Sequence, residues 1–166
     1  MLPRRLEHHG LRPHLVQHRF SRGTTDVRGE IKGSDGLAID FNHTILPARN
    51  SEASAKFLAE MLGLPAPRRW GPFQMATTEN GANLDYMDTG GEIRPQHYAF
   101  LVSEAEFDEI FGRIRERDLP YWADPGRTQL GEINHHDGGR GVYFEDPNGH
   151  LLEIITRQYG SGGWNP

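Results

Sequence analysis

The sequence predicts an α+β fold in which two βαβββ modules form a cupped, half-barrel mixed sheet with the helices outside. The order strand, helix and about three strands occurs twice, at about residues 38–89 and 95–158. Each copy has a histidine in its opening strand, His43 or His97, and the proline that ends the helix follows 22 or 23 positions later. Each copy also has an acidic residue in its last strand. Because one helix covers only one face of a sheet, two modules side by side are expected to share a hollow.

The first module is predicted from local signals along residues 38–89. It opens with a strand pattern at residues 38–46, in which alternate side chains share a face. A helix follows, with Asn50 or Ser51 as its N-cap and a Gly and a Pro beyond its end. Strands at residues 73–78 and 82–88 are then joined by an Asn-Gly pair, the strongest short hairpin signal.

The second module repeats this order. A strand is expected at residues 95–102, and Ser103 and Glu106 form the capping box of a helix. The apolar stripe of that helix has the spacing i, i+3, i+4, i+7. An aromatic pair at residues 121–122 and strands at 142–145 and 151–156 complete the module, and an Asp-Pro-Asn-Gly turn joins the last two strands.

The ends of the chain differ from this body. Residues 1–36 carry seven Lys/Arg against four Asp/Glu, have few large apolar residues and show no steady period. Such a segment buries too little surface to offset its ordering entropy, so we interpret it as a disordered or mis-called N-terminal extension. The predicted domain covers residues 37–160, and residues 161–166 are predicted to form a flexible tail.

Composition excludes several classes of protein. The 166 residues include 36% apolar and 25% charged residues, as in a polar globular chain. A net charge of −5 argues against a nucleic-acid partner, which would need a basic surface. No apolar stretch approaches the ~18 residues of a membrane span, and the head lacks the apolar region of a secretory signal, so a cytoplasmic protein is expected.

With no cysteine in the chain, any metal must be held by His, Asp or Glu. His43, His97 and Glu153 occur at matching strand positions of the repeated unit. A carboxylate flanked by Leu-Leu and Ile-Ile is expensive to bury without a partner, and a cation would be one. Two imidazoles and one carboxylate form the facial triad of non-heme iron sites. The same set could also hold Mn²⁺, Zn²⁺ or Ni²⁺, so the ligand types alone do not choose the metal.

Residues 38–159 resemble the vicinal oxygen chelate superfamily, which includes glyoxalase I, bleomycin-resistance proteins, fosfomycin-resistance enzymes and extradiol dioxygenases. The resemblance rests on the His-Thr-Ile-Leu opening, on His-Tyr-Ala-Phe-Leu-Val and above all on the closing segment from Val142 to Glu153. It implies that His43, His97 and Glu153 are the metal ligands. The chain is most similar to small single-domain dioxygenases that tailor aromatic polyketides.

The closing segment also fits the signature of extradiol dioxygenases, in which a His precedes an apolar residue and Tyr, then an acidic Pro-x-Gly turn and Glu. Tyr143 is the tyrosine, and either His135 or His136 satisfies the spacing. By this resemblance Tyr143 hydrogen-bonds a substrate oxygen and the histidine shuttles a proton. Larger extradiol enzymes have another histidine shortly before the second ligand, and this chain has none there. Asp85 lies where glyoxalase I has a fourth ligand, and we interpret it as a group near the ligands rather than a ligand itself.

Several functions therefore compete. The leading prediction is a metal-dependent dioxygenase, with Fe²⁺ as the favoured metal, that uses O₂ on an aromatic or polyketide-like diol. The alternatives are a glyoxalase I-like isomerase with Asp85 as fourth ligand, an enzyme that opens a small electrophile with a thiol, and a non-catalytic drug-binding protein of the bleomycin-resistance type. A homodimer is expected, because the exposed edges of such half-barrels usually pair.

Overall fold

A computed structural model describes residues 39–163, which contain two four-stranded sheets and two main helices. The interpretation of residues 1–36 therefore lies outside the described part of the chain. The strands are β1 (His43–Ala48), β2 (Arg68–Trp70), β3 (Phe73–Thr77), β4 (Asn83–Asp88), β5 (His97–Leu101), β6 (Tyr121–Trp122), β7 (Gly141–Glu145) and β8 (Leu151–Ile155). The helices are α1 (Ser51–Leu62) and α2 (Glu104–Glu116).

The predicted α+β fold is confirmed, since each module has the order βαβββ and builds its own mixed sheet. The first sheet has the strand order β1-β4-β3-β2 and the second β5-β8-β7-β6. In both sheets the opening strand pairs in parallel with the last strand of its module, and the other pairs are antiparallel. The two sheets are cupped and do not close. Neither α1 nor α2 combines the length and apolar character that crossing a membrane requires.

Both helices begin, and α1 also ends, where their capping residues predict. Asn50 Oδ1 accepts from the Ala53 amide at 2.9 Å at the start of α1, and Gly63 ends it with φ +73°. At α2, Ser103 and Glu106 form the expected capping box. Arg113 of α2 also donates to the Met61 carbonyl oxygen at 3.1 Å, which satisfies a backbone group at the end of α1.

The first strand begins later than the sequence suggests. A strand was expected from residue 38, but β1 starts at His43 because its partner β4 starts at Asn83. The Asn-Gly hairpin turn ends the sheet there, so residues before His43 have no strand to pair with. Strand β2 has no separate signal in the sequence, because its three residues are all exposed.

One hydrophobic core joins both modules. It includes Leu46 and Tyr86 from the first module and Phe107, Phe144 and Ile154 from the second, all buried. On α2, Phe107, Ile110 and Ile114 are buried as the apolar stripe predicts.

The Asp-Pro-Asn-Gly turn before β8 ties the second module to the first through polar contacts. His150 is fully buried; its Nε2 donates to the Pro47 carbonyl oxygen at 2.9 Å, and its Nδ1 accepts from the Gln96 amide at 3.1 Å. Asn148 accepts from the Arg49 amide at 3.0 Å and donates to the Ser54 hydroxyl at 2.9 Å. The turn is therefore a structural junction between β1, α1 and β5.

Candidate metal centre

The two modules carry the same pairing of a histidine with a carboxylate. In each, the carboxylate is paired across the sheet with the residue two positions after the histidine: Ile45 pairs with Asp85, and Ala99 pairs with Glu153. Because alternate residues of a strand share a face, the histidine and the carboxylate of each module lie on the same face of its sheet.

In the second module the histidine and the carboxylate are in contact. His97 Nε2 lies 3.1 Å from Glu153 Oε2, and the Glu153 side chain is fully buried while that of His97 is 46% exposed. The other ring nitrogen, Nδ1, lies 3.2 Å from the Leu151 carbonyl oxygen. A carbonyl only accepts, so Nδ1 carries the proton of this contact and Nε2 is the nitrogen that can bind a cation.

The His97–Glu153 pair fits a transition metal. Two ligand atoms at ~2.1 Å from one ion and at right angles to each other are roughly 3 Å apart. The observed separation of 3.1 Å between Nε2 and Oε2 agrees with that value. Because Glu153 is fully buried and His97 is half-exposed, substrate and further ligands can approach the pair from the side of His97.

Tyr143 lies beside this pair. It is 4% exposed, it is paired with Glu153 across β7 and β8, and its ring lies 5.8 Å from the His97 ring. Its hydroxyl is 2.8 Å from the hydroxyl of Tyr159, which in turn donates to Glu153 Oε1. Burial raises the pKa of Tyr143 far above its usual value, and the hydrogen bonds to Tyr159 and Glu153 add to the rise. Tyr143 is therefore a neutral phenol that can donate a hydrogen bond.

In the first module the corresponding pair is looser. His43 is exposed and its Nδ1 lies 2.7 Å from Asn42 Oδ1, which again leaves Nε2 available. Asp85 is 6% exposed, and its Oδ1 is buried without a hydrogen-bond partner. Burial raises the pKa of the Asp85 carboxyl, and the charge of His43 offsets part of that rise.

A single chain does not assemble the predicted three-ligand set. Among residues 39–163 no three His, Asp or Glu side chains converge closely enough to hold a metal ion. His97 and Glu153 meet on the second sheet, whereas His43 lies with Asp85 on the first. The assignment of His43, His97 and Glu153 as ligands thus stays a prediction.

The two histidines that the sequence leaves as alternatives differ in their surroundings. His135 is exposed, and its Nδ1 contacts the Gly139 carbonyl oxygen of its own loop at 3.2 Å. His136 is half-buried, with its ring 6.4 Å from that of Tyr159. His136 is therefore the histidine on the side of the tyrosines.

Tyr159 is a site residue that the sequence-based predictions lack. It follows the last strand, where no periodicity indicates which way a side chain points. The sequence signal for a turn at this position is the Gly-Ser-Gly-Gly run directly after Tyr159, because glycine allows a tight turn of the chain.

The fold and the paired histidines and carboxylates define the class of protein. The Glyoxalase/Bleomycin resistance protein/Dioxygenase superfamily matches residues 40–154, and the chain belongs to this superfamily.

Among individual proteins, the solved structure of oxidase ChaP-H2 is 61% identical, with a TM-score of 0.75, over 76% of this chain and 100% of that one. Glutathione transferase FosA of Serratia marcescens is 29% identical over 119 residues, 68% of this chain and 77% of FosA. Metallothiol transferase FosB of Shouchella clausii is 30% identical over 121 residues, 69% of this chain and 78% of FosB.

Proposed function

We propose that this chain is a divalent-metal-dependent dioxygenase that acts on vicinal oxygens of a small aromatic or polyketide-like substrate. The observation that carries the proposal is the contact of His97 Nε2 with Glu153 Oε2 at 3.1 Å beside the buried phenol of Tyr143. The 61% identity to a protein named as an oxidase supports oxygen chemistry over the alternatives.

The ligands in this proposal are His43, His97 and Glu153. Two imidazoles and one carboxylate, with positions left open, are the donor set of non-heme Fe²⁺ oxygenases, so Fe²⁺ is the proposed metal and Mn²⁺, Zn²⁺ or Ni²⁺ are alternatives. A metal held by these residues would supply Lewis acidity, which lowers the pKa of a catechol-like hydroxyl.

The protein's own groups orient the substrate and move protons. The Tyr143 oxygen, whose own proton goes to Tyr159, accepts a hydrogen bond from a substrate hydroxyl. His136, on the same side as the tyrosines, accepts and returns the proton of the substrate hydroxyl at near-neutral pH. His135, which points to its own loop, has no direct part in this scheme.

The third ligand comes from a second copy of the chain in this proposal. The strand faces that carry His43 and His97 expose Ile45 (44%) and Leu101 (56%), and Phe41, just before β1, is 66% exposed. Such apolar side chains on two matched sheets favour a homodimer in which the first sheet of one protomer faces the second sheet of its partner. Each protomer then contributes one half of each of two equivalent sites.

Mixing two inactive variants tests where the site assembles. His43→Ala and Glu153→Ala chains, refolded together in equal amounts, are expected to recover about a quarter of the wild-type metal sites, because half of the dimers are mixed and each mixed dimer has one intact site. Metal content after gel filtration measures the recovery, and each variant refolded alone is the control. No recovery in a sample shown to contain mixed dimers would contradict assembly across protomers.

Oxygen uptake tests the chemistry. We expect iron-loaded protein to consume O₂ when a catechol-like diol is added, and an oxygen electrode measures the rate. His97→Ala protein treated with iron in the same way is the control, because it keeps the fold but loses a ligand. Flat traces over a panel of aromatic diols, from protein shown to contain iron, would contradict the dioxygenase proposal.

Transfer of a thiol to a small electrophile is the second candidate. The relatives FosA and FosB, at 29% and 30% identity, are named as a glutathione transferase and a metallothiol transferase. The requirement for O₂ distinguishes the two functions. Thiol transfer to an epoxide needs no O₂, so its rate is unchanged under anaerobic conditions.

A further inference from the structure

The chain folds back over the site after β8, and Asp137 holds it there. This segment, residues 157–162, is called the strap. The Asp137 carboxylate accepts from the Gly160 amide at 2.9 Å and from the Gly162 amide at 2.7 Å, and its carbonyl oxygen accepts from the Arg157 guanidinium at 3.0 Å. Asp137 is 5% exposed and has a φ of +56°. The two amides and the Arg157 cation therefore fix the strap at three points.

Close packing reinforces this attachment. A Cβ atom at Gly162 would lie 2.3 Å from the Asp137 carbonyl oxygen, so only glycine allows the strap to pass this close. The Gly162 amide is thus hydrogen-bonded to a buried carboxylate, while the flexible tail at residues 161–166 stays a prediction.

The strap brings the Tyr159 hydroxyl between Glu153 and Tyr143. The Tyr159 hydroxyl has a single proton, and it donates that proton to Glu153 Oε1. The contact of 2.8 Å with Tyr143 must then be one in which Tyr143 donates. The order of donation is Tyr143 to Tyr159 to Glu153.

This order assigns different tasks to the two oxygens of Glu153. Oε1 is held by Tyr159, and Oε2 faces His97 Nε2 at 3.1 Å. We propose that Tyr159 is a positioning residue that occupies Oε1 and so directs Glu153 to bind the metal through Oε2 alone, with the strap and Asp137 holding the tyrosine in place. This inference rests on the proposed metal site and adds a residue to it.

Tyr159→Phe tests the inference directly, with Tyr121→Phe as the matched control because Tyr121 lies on β6 and packs against Phe111. Loss of a hydrogen bond to a ligand typically weakens metal binding 10–100-fold. We expect a weakening of about that size in Tyr159→Phe, measured by competition with a chromogenic chelator, and none in Tyr121→Phe. The Co²⁺-substituted variant should also have an altered visible absorption spectrum, since Glu153 can then bind through both oxygens.

The outcomes separate this inference from the proposed function. If wild-type protein binds no divalent metal, both fail. If wild-type protein binds Co²⁺ and Tyr159→Phe binds it with the same affinity and spectrum, only the role of Tyr159 is overturned.

A second variant covers the case in which Tyr159→Phe does not fold. Asp137→Asn keeps a side chain that tolerates positive φ but removes the charge that accepts both strap amides. We expect faster hydrogen exchange at the Gly160 and Gly162 amides of the metal-free protein, together with weaker Co²⁺ binding. Faster exchange with unchanged Co²⁺ affinity would overturn the inference, because the strap would then be structural only.

Discussion

Replacing His97 with alanine is expected to abolish tight binding of a divalent metal. The variant removes the Nε2 atom that lies 3.1 Å from Glu153 Oε2 and leaves a fully buried carboxylate with one fewer partner. The loss should exceed the 10–100-fold effect of removing a group that only supports a ligand. Metal content after dialysis and isothermal titration with Fe²⁺ under anaerobic conditions, or with Mn²⁺ in air, measure it.

The matched control is Asp85→Ala, at the equivalent position of the first module. Because we interpret Asp85 as a group near the ligands rather than a ligand, this variant should retain metal. The opposite result, in which Asp85→Ala loses the metal and His97→Ala keeps it, would favour the isomerase scheme with Asp85 in the ligand set.

Replacing His150 with phenylalanine is expected to lower the free energy of unfolding by about 2–5 kcal/mol. The substitution fills a similar volume, but it leaves the Pro47 carbonyl oxygen and the Gln96 amide without the partners that the imidazole supplies. A buried backbone group that loses its hydrogen bond costs about 1–3 kcal/mol. Two hydrogen bonds are lost here, but Pro47 is half-buried and Gln96 is exposed, so the expected loss lies below the sum of two full costs. Urea unfolding followed by circular dichroism measures the change.

His135→Phe is the control for this variant, since His135 is an exposed histidine whose ring contacts its own loop. Its free energy of unfolding should stay within about 0.5 kcal/mol of wild type. Equal midpoints for His150→Phe and wild type would mean that the junction at the Asp-Pro-Asn-Gly turn contributes little to stability.

The repeated histidine and carboxylate positions could be predicted because strand periodicity carries that information. A side chain in a strand takes the face that its position dictates, so matched spacing in two copies implies matched placement. The pairing of Ile45 with Asp85 and of Ala99 with Glu153 follows this rule. Helix ends were predictable for a similar reason, because Asn50 and Ser103 act on amides only three residues away.

Features that depend on distant partners could not be predicted in this way. His150 follows a turn, where no strand or helix periodicity indicates whether a side chain is buried; its contact with Pro47 spans 103 positions of the chain. Tyr159 reaches Glu153 only because Asp137 holds the strap, a contact between two loops without periodicity. Strand β2 is exposed along its whole length, so it has no hydrophobic alternation to reveal it.

The shared core has a consequence for how the domain folds. Although the sequence repeats a pattern, the apolar side chains of both halves form one cluster, and the described residues from Asp40 onward lie in one compact unit. Neither half buries its own interior without the other, so a fragment ending in the loop between β4 and β5 would expose the side chains that normally meet across it. The repeat in the sequence is therefore a repeat of residue positions and not of independently folding units. The two modules fold and unfold together.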